Sequence, residues 1–148
     1  MQIKSVNLPD VLSVEGKFLW YNRSLESASF LKLESVGHYF LYYNRGIKSA
    51  SFPMLRSVGH GFLCWNNSFQ SASFPKLESV GYDFLYYNRS LESVTFPMLR
   101  SVGIWFLCEN ESLKSVSFPM LQSVGDNFLH YNRHLRELKQ EIRCRSKA

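Results

Sequence analysis

The chain has 148 residues, 45% hydrophobic and 20% charged, which is enough for one compact unit. Its net charge of +5 is concentrated at one end, because Arg133 to Ala148 carries six Arg/Lys against two Glu. The body is therefore nearly neutral, which argues against a nucleic-acid groove along it. No apolar run approaches the ~20 residues of a membrane span. The opening segment lacks the basic stretch, apolar core and cleavage site of a leader. Three cysteines are too few for a disulfide framework, and no His/Cys cluster has zinc-site spacing. The expectation is a reducing, cytoplasmic setting, or a surface setting if the chain is a piece of a longer secreted protein.

The first element is already in register with all that follow. Ile3-x-x-Val6-x-Leu8-Pro9 opens a block of 22 residues that recurs to about Leu138, and its cleanest copy is Pro75–Phe96, PKLESVGYDFLYYNRSLESVTF. A fixed period of this length means one supersecondary unit stacked on itself, a repeat solenoid. The first rung enters without a capping segment. An exposed strand edge of that kind invites self-association, so end-to-end stacking through the N-terminal rung is one reading of the chain.

Within a rung, Leu91 to Phe96 alternates, with Val94 and Phe96 on one face and Ser93 and Thr95 on the other, as a short half-buried strand does. Stacked strands form a parallel β-sheet. Its inner columns are Leu25, Ile47, Phe69, Leu91, Leu113, then Ala28, Ala50, Ala72, Val94, Val116, then Phe30, Phe52, Phe74, Phe96, Phe118. Pro53, Pro75, Pro97 and Pro119 end the strand. A second extended segment turns Leu77 and Val80 inward. Gly37, Gly59, Gly81, Gly103 and Gly125 follow, at a position expected to need positive φ or a tight turn. Phe84-Leu85 then suggests a short 3₁₀ or helical turn. Asn22, Asn44, Asn66, Asn88, Asn110 and Asn132 close the unit, and are expected to form an asparagine ladder that satisfies buried loop amides.

These residues carry a resemblance. Leu91-x-x-Val94-x-Phe96-Pro97, Leu99-x-x-Val102-Gly103 and Phe106-Leu107-x-x-Asn110 resemble the BspA-like branch of the leucine-rich repeats, with Phe where that family usually has Ala and Asn where it usually has Cys. The resemblance covers about Ile3 to Leu138. It implies a β-rich leucine-rich repeat solenoid with a curved parallel sheet, and a non-catalytic protein-binding or adhesion module.

The division expected is a solenoid over residues 1–138, of about six rungs, and a basic C-terminal capping helix and tail over 134–148. The helix is read from Leu135, Leu138 and Ile142 at i, i+3, i+7. A 44-residue period overlies the first: Leu31–Phe74 and Pro75–Phe118 share 29 of 44 positions. It places Glu34, Arg56, Glu78 and Arg100 in one column, where opposite charges on neighbouring strands disfavour a slipped register.

Function can sit only where rungs differ or face solvent. The outer face of the sheet is almost wholly small hydroxyls: Ser27, Ser29, Ser49, Ser51, Ser71, Ser73, Ser93, Thr95, Ser115 and Ser117. Such an array suits a cheap solvated strand, or a regular ligand such as carbohydrate or ice. The other surface flanks the asparagines. Trp20, Tyr42, Tyr86 and His130 form one column and Tyr21, Tyr43, Trp65, Tyr87 and Tyr131 the next, beside Arg23, Arg45, Arg89 and Arg133. Aromatics with arginine are enriched at protein interfaces, and half-burying a Tyr ring over the loop below is the structural alternative. Rungs three and five break the pattern with Cys64-Trp65-Asn66-Asn67 and Cys108-Glu109-Asn110-Glu111. The two residues after each Gly vary freely, from His38-Tyr39 and His60-Gly61 to Tyr82-Asp83 and Ile104-Trp105. No nucleophile, base and carboxylate come together as a triad, and nothing calls for a cofactor or metal. A protein partner is the expectation, and the sequence does not name it.

Overall fold

The computed structural model describes residues 3–135 and the backbone of 137–138. Each rung contributes a three-residue strand and a two-residue strand. The first kind comprises β1 (Ser5–Asn7), β3 (Ser27–Ser29), β5 (Ser49–Ser51), β7 (Ser71–Ser73), β9 (Ser93–Thr95) and β11 (Ser115–Ser117). The second comprises β2 (Ser13–Val14), β4 (Ser35–Val36), β6 (Ser57–Val58), β8 (Ser79–Val80) and β10 (Ser101–Val102). All pairings are parallel and offset by one repeat, as in Ser27↔Ser49 and Val58↔Val80. The result is the expected parallel-strand solenoid.

The core is a narrow slab of Phe and Leu. Phe30, Phe52, Phe74, Phe96 and Phe118 are buried, as are Phe40, Phe62, Phe84 and Phe106 from the opposite side. Rings of one column stack on the next rung, as Phe62 and Phe84 do at 5.3 Å and 3°. Rings of the two columns meet edge to face, as Phe74 and Phe84 do at 5.5 Å and 68°. Both are favoured aromatic geometries. Small Ala or Val in the middle column leaves room for these two rows of rings. In the first rung Val6, Leu8, Val14 and Phe18 are only partly buried against this core.

The turn that delivers Phe84 and Leu85 differs from the expected helical turn. Among the described residues no segment is helical or 3₁₀. Every second residue is left-handed instead: Tyr39, Leu41 and Tyr43 in one rung, Asp83, Leu85 and Tyr87 two rungs on, with φ of 52–63°. Left-handed backbone costs a bulky residue about 1–3 kcal/mol, so something must repay it. The repayment is hydrogen bonding between coils. The amide of Tyr39 donates forward to His60 O, that of Leu41 back to Phe18 O, and that of Tyr43 forward to Cys64 O, at 2.7–3.1 Å. The same alternation recurs in later rungs, for example at Asp83, Leu85 and Tyr87.

The glycine column needs correcting too. Gly37, Gly59, Gly81, Gly103 and Gly125 do not have positive φ; only Gly61 does, at 73°. The column is glycine because the coils touch there. A Cβ on Gly81 would lie 2.5 Å from His60 Nδ1 and 2.9 Å from the Gly59 carbonyl carbon.

The short strands form one continuous five-stranded sheet, β10-β8-β6-β4-β2. The long ones do not. They form β1-β3-β5 and, separately, β7-β9-β11 followed by β12 (Glu137–Leu138), with no pairing between β5 and β7. The gap coincides with Phe69, which puts a ring just before β7 where other rungs carry Leu or Ile. Ala50 and Ala72, expected in the core, are accordingly only partly buried, whereas Ala28 and Val94 are buried. Of the expected C-terminal helix, Glu137–Leu138 forms strand β12, paired with Ser115–Val116. Arg136 and residues 139–148 lie outside the described residues. No helix among the described residues is long and apolar enough to cross a membrane.

Candidate functional site: the aromatic edge

The asparagine column fixes the geometry of the edge. Oδ1 of Asn44, Asn66, Asn88, Asn110 and Asn132 each accepts the backbone amide of the asparagine one rung earlier, at 2.8–3.0 Å. Nδ2 of Asn44, Asn66, Asn110 and Asn132 donates to a leucine carbonyl 25 residues back, at 2.7–3.1 Å. Asn44, Asn66, Asn88 and Asn110 are fully buried. An asparagine supplies both a donor and an acceptor to a bend whose amides no water reaches. The residues on either side are thereby held in stacked columns.

On that frame the aromatic side chains form a connected belt. Tyr21 stacks on Tyr43 at 4.8 Å, Tyr43 meets Trp65 at 6.0 Å, and Trp65 stacks on Tyr87 at 4.0 Å. The Arg45 guanidinium lies over the Tyr43 ring, 4.8 Å from its centroid, and Arg89 over Tyr87 at 4.7 Å. Each arginine also donates to the hydroxyl of the ring it covers. Trp20 and Tyr21 are exposed, while Tyr42, Tyr43, Trp65, Tyr86 and Tyr87 are half-buried. The structure thus brings the two expected aromatic columns together from Trp20 to Tyr87, with Arg45 and Arg89, while His130 and Tyr131 pack on each other. Arg23 is exposed at the same edge. Rung five reverses the sign, since Glu109 accepts the Tyr86 hydroxyl at 3.2 Å and Glu111 is exposed. Burial, then the Glu109 charge and that hydrogen bond, push the Tyr86 phenol up to about 12.

Sequence reasoning did not assemble one feature of this edge. In rung three, Gly61 and Cys64 are small where rungs two and four carry Tyr39 and Tyr42, and Asp83 and Tyr86. The Tyr39 ring lies over Gly61, and Cys64 lines a notch of about 360 Å³ together with Tyr39, Tyr42, Trp65, Asp83, Tyr86 and Trp105. Tyr39 and Tyr42 meet at 85°, Trp65 and Tyr86 at 63°, and Tyr86 and Trp105 at 84°, so rings wall it on several sides. Trp105, one of the freely varying residues after a glycine, is half-buried at its rim. The signal was present as the two breaks in column pattern, but their convergence needs the rungs stacked.

Cys64 is buried, its thiol donating to Asp83 O, and burial pushes its pKa up, so it remains a thiol. Burial raises the Cys108 thiol to about 11 as well. Burial also raises the Asp83 carboxyl, an effect that His60 offsets in part. His38 and His60 stack at 4.5 Å, and His60 stacks on Tyr82 at 4.4 Å. Each imidazole accepts through Nδ1 the amide one rung on, from His60 at 2.9 Å and Tyr82 at 2.8 Å. Both rings thereby serve the stack. No group of three or more His, Cys, Asp or Glu among the described residues could hold a metal ion.

The hydroxyl face is shallower. Ser49, Ser51, Ser71, Ser73, Ser93 and Thr95 are exposed, and Ser27, Ser29, Ser115 and Ser117 half-exposed. The opening between β5 and β7 forms a broad depression of about 560 Å³ lined by Ser49, Ala50, Ser51, Phe52, Ser71, Ala72, Ser73 and two prolines. In the charge column, Arg56 pairs with Glu78 at 3.3 Å.

A parallel solenoid of this period with a buried polar ladder is a leucine-rich repeat architecture. The BspA type leucine-rich repeat region matches residues 34–146 in six copies, and the chain belongs to that family. Searches of curated proteins and of solved structures found no match.

Proposed function

We propose that the chain is a non-catalytic binding module that engages a protein partner through its aromatic–arginine edge. The family is a repeat scaffold that fits protein binding or adhesion. The observation that carries the choice of surface is the unbroken aromatic belt from Tyr21 to Tyr87 with Arg45 and Arg89 laid over it. Large rings held by a rigid ladder lose little freedom on docking, which is what makes Tyr, Trp and Arg effective interface anchors. The Ser/Thr face fits a regular carbohydrate or ice lattice less well, because its columns are interrupted between β5 and β7.

The test pairs binding with stability. Peptide binders are selected against the intact chain, and Tyr43→Ala/Arg45→Ala is compared with Ser71→Ala/Ser73→Ala. The edge variant loses binding by tenfold or more, about 1.4 kcal/mol, while melting within a few degrees of the parent. Binders sensitive only to the serine pair, or collapse of the fold in the edge variant, would contradict the choice of surface.

A further inference from the structure

The notch at rung three has a chemistry of its own, and we propose that it is a binding site for a small organic cation bearing a trimethylammonium group. Such a ligand needs electron-rich ring faces on several sides, a nearby anionic charge, and no competing cation. The notch offers all three. Along the wall Trp65 and Tyr86 meet at 63° and Tyr86 and Trp105 at 84°, and Tyr39 and Tyr42 meet at 85°. Asp83 is the one charged side chain lining it, and no Lys or Arg does. Glu109, bonded to the Tyr86 hydroxyl, adds negative charge behind one wall. The volume of about 360 Å³ lies at the small end of ligand sites, too small for a folded partner and ample for a choline-sized molecule.

The site also explains a break in the repeat. Cys64 stands in a column that holds Trp20, Tyr42 and Tyr86, and Gly61 in one that holds Tyr39, Asp83 and Trp105. The small Cys64 side chain lines the cell, and the Tyr39 ring lies over Gly61 beside it. Rung five has the first change, Cys108, but keeps Trp105 in the second column. The notch shares Trp65 with the belt, but Tyr43 and Arg45 do not line it.

Titration calorimetry with choline, with a short peptide carrying trimethyllysine, and with the neutral choline isostere 3,3-dimethylbutanol tests the proposal. One or both cations bind at millimolar concentration or tighter, and the better of them names the source of the group. The neutral isostere binds about tenfold or more weakly, because it keeps the shape and loses the charge. Asp83→Asn weakens choline and leaves the isostere unchanged. Cys64→Tyr restores the side chain of rungs two and four and abolishes binding. If that variant does not fold, Asp83→Asn and Trp65→Ala carry the test. Tyr43→Ala/Arg45→Ala leaves choline binding intact whatever it does to a protein partner. Equal affinity for choline and its isostere, or no heat from either cation, would overturn the assignment.

Discussion

Asn66 sits in the middle of the ladder with its side chain bonded wholly within the protein. Its Oδ1 accepts the Asn44 amide and its Nδ2 donates to Leu41 and Cys64 carbonyls, all in a site closed to water. Asn66→Ala strands these partners, and each buried unsatisfied group costs about 1–3 kcal/mol, so denaturant unfolding is expected to lose about 3 kcal/mol. Asn22 sits at the edge of the ladder, and its side chain makes one long bond, to Trp20 O at 3.4 Å. Asn22→Ala is expected to cost under about 1 kcal/mol. Equal losses would deny the ladder its role. Asp83 behaves oppositely, because its folded pKa is raised, chiefly by burial. Below the ordinary carboxylate range it is neutral folded and unfolded alike, and any stability it contributes is complete. As pH rises through the unfolded and then the folded value, burying the charge becomes a penalty. Asp83→Asn should therefore melt slightly above the parent at neutral pH and level with it near pH 3. A lower melting point at neutral pH would mean that the carboxylate is held by bonds rather than strained by burial.

At the scale of one rung, strand positions were legible in the sequence because side-chain alternation and burial share a period of two. Val94 and Phe96 are buried and Thr95 is exposed, as the pattern requires. The turn was less legible, for a physical reason. Left-handed backbone is usually announced by Gly, Asn or Asp, whereas here Leu41, Tyr43 and Trp65 adopt it because their amides find carbonyls in adjacent coils. A bond to a residue 21 or 23 positions away has no local signature. The glycines misled in the reverse direction, marking close approach where freedom of φ was expected. Gly81→Ala consequently drives a Cβ into the Gly59 backbone and the His60 ring. Overpacking of that kind costs about 1–3 kcal/mol, and thermal melting should show it. A neutral outcome would mean that the coils are free to part there.

The whole molecule is held unevenly. Its asparagine and left-handed ladders run unbroken from rung to rung along the edge, and the short strands form a continuous sheet. The long-strand sheet is split although its Ser-Ala-Ser strands at β3, β5 and β7 are identical, and in the sequence only Phe69 marks the place. The candidate site was half legible. Its aromatic and arginine columns follow from the period, but the notch needed Cys64, Asp83 and Trp105 from three rungs to converge. The central structural claim is that the edge is continuous and rigid while the serine face opens between β5 and β7. Amide hydrogen exchange resolved by residue tests it most directly. The amides of Phe30, Phe74 and Phe96 donate across to the next rung and those of Lys48 and Glu92 to the previous one, whereas Phe52 and Gln70 make no such bond across the opening. Exchange should be slow at Asn44, Asn66, Leu63 and Leu85, slow at Phe30, Phe74, Lys48 and Glu92, and fast at Phe52 and Gln70. Protection of Phe52 and Gln70 equal to that of their counterparts would contradict the split, and rapid exchange at Asn66 and Leu63 would contradict the rigid edge.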